Sequence, residues 1–149
     1  MEPVELERYL RAAIPLSQAM DVRVREASPE AVRLAVPLGP NINHRETLFG
    51  GSASAVCILA AWALVHVRLT AEGRAARIVI QRNTMEYGAP VIGEAEARAS
   101  LPGGADWDRF VRTLDRRGAA RIQIQAALSE NGEPRGGLAG DFVALGKSR

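Results

Sequence analysis

The chain has 149 residues, 47% of them apolar and 24% charged, and a formal charge of +2. That balance suits one domain with a sizeable core and excludes a charge-rich disordered chain. The basic residues are scattered without interleaved aromatics, which excludes a nucleic-acid stripe, and the single cysteine, Cys57, excludes an intrachain disulfide.

The acidic start, Met1 to Glu7, lacks the apolar core of a signal peptide. Together with the lone cysteine it leads us to expect a cytoplasmic protein. Over residues 3–14, Val4, Leu6, Tyr9, Leu10, Ala13 and Ile14 recur at helical spacing, and Pro15 is expected to stop that helix. Val22 and Val24 alternate with Arg23 and Arg25. After Ser28-Pro29, Val32, Leu34 and Val36 alternate with Arg33 and Ala35. These segments predict a strand hairpin with one face inward.

Pro37, Gly39 and Pro40 end regular structure, and a polar loop from Asn41 runs to Gly50-Gly51-Ser52. Residues 53–69 are apolar except for Ser54, His66 and Arg68. We expect a helix over about 52–69, capped by Ser52 and buried on nearly every side. It falls short of the ~20 apolar residues of a membrane span, so no span is expected.

Ile78-Val79-Ile80 opens a strand that continues to Tyr87 and is broken by Gly88-Ala89-Pro90. In 91–101, Ala95, Ala97 and Ala99 alternate with Glu94, Glu96 and Arg98, as in a strand whose small side chains meet a close neighbour. Asp106 caps a predicted helix carrying Trp107, Phe110, Val111 and Leu114, with Gly118 at its end. Ile122, Ile124, Ala126 and Leu128 mark another strand, Asn131-Gly132 a hairpin turn, and Arg135 to Leu145 the last strand. The sum is an α+β domain over 1–149: an antiparallel sheet of about six strands curled around one apolar helix. A single such sheet leaves part of the helix uncovered, which favours a dimer.

This element order, with Pro40-Asn41-Ile42-Asn43, Thr47-Leu48-Phe49-Gly50-Gly51-Ser52 and Trp62, resembles the hot-dog fold of acyl-CoA thioesterases. The branch it resembles also occurs as the C-terminal domain of bacterial acetyltransferase fusions. Glu86-Tyr87-Gly88-Ala89-Pro90-Val91 is similar to that family's later strand. The resemblance implies a homodimer or a dimer of dimers, with active sites at the subunit interface and an acyl tunnel beside the central helix. It implies an acyl-CoA or acyl-carrier-protein substrate; no cofactor is expected, and two distant histidines with one buried cysteine make no zinc site.

In that resemblance Phe49-Gly50-Gly51 stands where many of these thioesterases have His-Gly-Gly. The Gly51 N–H, at a helix N-terminus, is then the donor that polarises the thioester carbonyl. Asn43 matches a loop Asn that orients water or carbonyl, although an Asn there equally suits turn-making. Asn41 is the better turn-maker. Phe49, Gly50, Ser52, Arg82 and Tyr87 are candidate substrate contacts, and Arg116, Arg117 and Arg121 candidate phosphate contacts.

Ser52 lacks the Gly-x-Ser-x-Gly setting of a nucleophile elbow, so a cap or hydrogen-bonding role is expected. The carboxylate that many relatives carry in the central helix is missing from Ala55-Val56-Cys57-Ile58-Leu59. A general base must come from elsewhere. His44 and Glu46 are the first candidates, and Asp141 a further one. His66 is expected to be buried and bonded to a backbone carbonyl. The function expected is thioester hydrolysis. The alternatives are a non-catalytic acyl-binding module and, last, a hydratase or dehydratase, for which Phe49 occupies the usual His position.

Overall fold

Six antiparallel strands form one sheet in the order β1-β2-β4-β5-β6-β3 in the computed structural model, which describes residues 1–146. The strands are β1 (Arg23–Ala27), β2 (Val32–Val36), β3 (Ala76–Tyr87), β4 (Ala95–Ser100), β5 (Ala119–Glu130) and β6 (Glu133–Gly146). The helices are α1 (Pro3–Ala13), α2 (Pro15–Ala19), α3 (Gly50–Ala71) and α4 (Trp107–Arg117).

The inward row of β5 is Ala120, Ile122, Ile124, Ala126, Leu128 and Glu130, all buried. It alternates strictly with exposed residues such as Arg121, Gln123 and Gln125, so the hydrophobic period fixes which face the sheet turns to the core. α3 lies across that inner face. Val56, Ala60, Ala61, Ala63, Leu64 and Val65 on it have no accessible surface, and Ala95, Ala97 and Ala99 of β4 are equally closed off beneath it. Methyl side chains there let helix and strand approach closely.

The helix has 22 residues, begins at Gly50 rather than Ser52, and reaches Ala71. Its length and mean hydropathy of 1.7 would suffice for a span, but 61% of that apolar window is buried inside the protein. Ser52 is therefore the third helical residue and not the cap. The capping position is Phe49, in extended conformation, with no side-chain capping bond.

Pro15 does not simply end regular structure. It occupies the first turn of α2, where its fixed φ and missing N–H cost nothing. α4 follows expectation: Asp106 accepts the Arg109 N–H at 2.9 Å, and Gly118 closes the helix at φ 76°. Its start is tied to the end of α3, where Trp107 Nε1 donates to Glu72 at 2.6 Å and the Arg68 guanidinium stacks 4.4 Å from the Trp107 ring.

β3 is a sheet edge with β6 on one side only. It exposes Val79 and Tyr87 by 49% and 60%.

Candidate active site

The first helical bond of α3 is made by the Ala53 N–H to Phe49 O, at 3.0 Å. Just upstream, the Leu48 N–H donates to Val91 O at 2.9 Å and the Phe49 N–H to Asn41 O at 2.8 Å. The amides of Gly50, Gly51 and Ser52 have no acceptor among the described residues. Three free N–H groups thus sit at the positive end of a 22-residue helix.

Two aromatic rings flank that end. A Cβ on Gly50 would lie 3.4 Å from the Tyr87 ring, and a Cβ on Gly51 would collide with the Phe49 ring. Gly51 itself is exposed, so the amide tip is open to solvent between the rings. Free donors at a positive helix end, bordered by apolar surface, can hold an oxygen that is gaining negative charge.

The loop behind the tip is organised by its two asparagines. Asn43 Oδ1 accepts the N–H groups of Arg45 and Thr47, at 2.8 and 3.1 Å, while its Nδ2 donates to Thr47 Oγ1 at 2.8 Å. Both ends of the Asn43 side chain are thereby committed to a turn. Asn41 is 2% exposed, and its Nδ2 donates to Met20 O and Pro37 O at 2.9 and 2.8 Å. His44, Arg45 and Glu46 form the exposed tip of the loop, with Glu46 in the left-handed region at φ 63°. Neither the His44 nor the Glu46 side chain makes a hydrogen bond among the described residues.

A family model described as "Putative thioesterase (yiiD_Cterm)" matches residues 4–146. The chain belongs to this thioesterase family. Among solved structures it is similar to a protein of unknown function from Chlorobaculum tepidum, at 27% identity and a TM-score of 0.89, covering 97% of this chain and 94% of the other. A structure from Shewanella oneidensis carrying the same qualified thioesterase description matches at 23% identity and TM-score 0.82, covering 96% of each chain. A thioesterase from Haemophilus influenzae matches at 12% identity and TM-score 0.74, covering 98% of this chain and 92% of the other. These likenesses show the hot-dog fold.

Within the family fold, the structure gathers Asn43, Phe49, Gly50, Gly51, Ser52 and Tyr87 around the α3 tip or its supporting loop. It does not bring Arg82 or Asp141 there. A bulge between Ile80 and Arg82 inserts one extra residue, and beyond it Arg82 pairs with Asp141, which pairs with Gln123. That row belongs to the outer face of the sheet, whereas the row Tyr87–Gly136–Leu128 belongs to the inner face. Arg82 and Asp141 are thus separated from the tip by the sheet itself within one protomer. Arg116, Arg117 and Arg121 are exposed near the start of β5, at the other end of the sheet from Leu128.

Ser52 and Ser54 have no imidazole or carboxylate hydrogen-bonded to them among the described residues, as an activated nucleophile requires. His66 departs from expectation. It is half-buried and stacks on Tyr9 and Trp62, with centroids 4.6 and 5.1 Å away and planes within 12°, and makes no bond to a backbone carbonyl among the described residues. Burial holds its pKa below the ordinary value near 6.5. Cys57 is an inert core thiol, pushed up to about 12 by burial. Among the described residues no group of three or more His, Cys, Asp or Glu converges as a metal site.

An apolar cavity of ≈ 470 Å³ runs beside the helix, walled by Ile14, Met20, Ala55, Ile58, Ile80 and Phe142. Its lining includes Ala55, one helical turn beyond Gly51. One residue of consequence was missed from sequence: Glu130, a carboxylate 6% exposed. Extending the alternation Ile122, Ile124, Ala126, Leu128 by one more step would have placed it inside.

Proposed function

We propose that the chain hydrolyses an acyl thioester, carried by coenzyme A or an acyl carrier protein, through direct attack of water. The observation that carries this reading is the trio of free amides at the start of α3, open between Phe49 and Tyr87. The thioester carbonyl oxygen accepts from the Gly51 N–H, aided by the helix dipole, while the acyl chain follows the apolar cavity beside α3. A base, His44 or Glu46, takes the proton as water bonds to the carbonyl carbon. The tetrahedral oxyanion then re-forms the C=O bond, the C–S bond breaks, and the thiolate is protonated. A lost oxyanion donor costs roughly 10²–10³ in rate in other hydrolases. Thioester hydrolysis also suits the family to which the chain belongs.

The working unit in this reading is a cytoplasmic homodimer joined along β3. The unpaired edge with its exposed Val79 supports that assembly, because a long bare edge with apolar side chains is a template for pairing. Antiparallel β3–β3 pairing brings one subunit's strand start beside the other's Tyr87. A panel of acyl-CoA and acyl-carrier-protein substrates tests the reaction, and light scattering of the wild type and Val79→Lys tests the assembly. Turnover by a dimer, lost when Val79→Lys yields a monomer, is expected. Absence of turnover on every thioester defeats the hydrolase reading.

A second reading, an acyl-thioester binding module, draws on the Asn43 side chain being committed to its own loop. Tight acyl-CoA binding without turnover would favour it.

A further inference from the structure

We propose that Glu130 is a positioning residue of this site: its buried carboxylate, backed by Arg135, sets the segment from Gly88 to Gly93 and through it the open end of α3. The proposal rests on the thioesterase reading above for its catalytic consequence, but not for its geometry.

Glu130 is the one buried acidic or basic residue among the described residues, 6% exposed at the end of the inward row of β5. A carboxylate taken out of water must be compensated by donors or an opposite charge. Its Oε1 accepts the Ile92 N–H at 3.2 Å and faces Arg135 Nε at 3.5 Å. That Nε is itself buried with no other partner among the described residues. Its Oε2 would lie 2.9 Å from a Cβ on Gly93, so the absence of a side chain at Gly93 makes room for the carboxylate. Arg135 also accepts the Gly88 N–H through its backbone oxygen, at 2.8 Å. The same pair of residues therefore grips both ends of the Gly88–Gly93 segment.

That segment touches the helix end at two places. Val91 O receives the Leu48 N–H, two residues before Gly50. Tyr87, immediately before the segment, places its ring against Gly50. Moving Ile92 therefore displaces both the loop that delivers the chain into α3 and the ring that borders its amides. A misplacement of about 1 Å at a reacting group can cost on the order of a hundred-fold in rate, so a distant anchor of this kind matters for chemistry.

The test compares wild type, Glu130→Gln and Glu130→Ala in the full chain, by amide hydrogen exchange and by acyl-CoA kinetics. In Glu130→Gln the amide oxygen can replace Oε1 toward both Ile92 and Arg135, with the NH₂ in the place of Oε2. Glu130→Ala removes both contacts. We expect Glu130→Ala to speed exchange at Leu48, to which Glu130 makes no hydrogen bond, while Ala97 and Ile124 in mid-sheet stay protected. We expect kcat to fall about ten- to a hundred-fold with KM little changed, and Glu130→Gln to restore most of the loss. Unchanged Leu48 exchange in Glu130→Ala overturns the proposal, as does a loss of activity that follows KM alone. If the wild type turns over no thioester, the proposed reaction fails while the exchange comparison still decides the clamp.

Discussion

The Tyr87 ring stands 3.4 Å from the point where a Cβ on Gly50 would lie. The last residue of the edge strand thereby meets the first residue of the central helix. The contact joins the two parts of the fold that a thioester would have to enter between. With Phe49 over Gly51 on the other side, it leaves the Gly51 amide as the exposed point of the tip.

Adding one methyl group at that point separates architecture from function. Gly51→Ala replaces a helical glycine, which by propensity alone raises stability by up to about 1 kcal/mol. Its Cβ must push the Phe49 ring aside, and that ring is exposed enough to swing away. We expect an unchanged or raised Tm together with a fall in kcat/KM of at least about ten-fold, as small misplacements at a reacting centre produce. Thermal melts and acyl-CoA kinetics on the same sample check both halves.

Asn43 is expected to act on the loop first. Asn43→Ala removes an acceptor for two backbone amides and a donor to Thr47 Oγ1, for a cost of about 1–2 kcal/mol. Asn43→Asp keeps the acceptor and is expected to be milder. Urea denaturation measures the cost, and limited proteolysis between Asn43 and Leu48 reports whether the turn has loosened.

His66 gives the protein a pH dependence of defined sign. Burial depresses its folded-state pKa below about 6.5, so between that lowered value and 6.5 the unfolded chain binds more protons than the folded one. Stability then rises with pH through this window and is lost as pH falls below about 6.5. Asp21 and Asp115, held below the usual carboxylate range by Arg11 and by Arg74, contribute only in the more acidic range below about 3.8. We expect the Tm of the wild type to drop between pH 7 and pH 5, and the drop to shrink in His66→Phe, which keeps the stack on Tyr9 and Trp62. Calorimetry across that range checks it.

Much of this architecture is legible in the sequence because it is written as periodicity. The alanines of β4 announce a close neighbour, and the neighbour is α3. Asp106 and Gly118 mark the ends of α4 by the chemistry of capping. What is not legible depends on contacts between distant segments. The bulge after Ile80 reverses the inside–outside alternation, so Arg82 falls on the outer face although Ile78 and Ile80 point inward. The cap of α3 is Phe49 because the chain is delivered into the helix by backbone bonds to Asn41 and Val91, not by a side chain. His66 stacks on Trp62, one turn earlier in its own helix, and on Tyr9 from α1 rather than bonding a carbonyl; the Trp62 spacing is visible in the sequence, but nothing local predicts Tyr9. Glu130 lies one step beyond an apolar alternation, and its acidic character hides that it continues the row.

The most direct measurement is a crystal structure of the protein with an acyl-CoA analogue in which a methylene replaces the thioester sulfur, so that the carbonyl remains and cannot be cleaved. We expect the carbonyl oxygen about 2.7–3.1 Å from the Gly51 nitrogen, with the acyl chain in the cavity beside Ala55 and Ile58. A carbonyl bound away from the start of α3, with the Gly51 amide left to solvent, would contradict it.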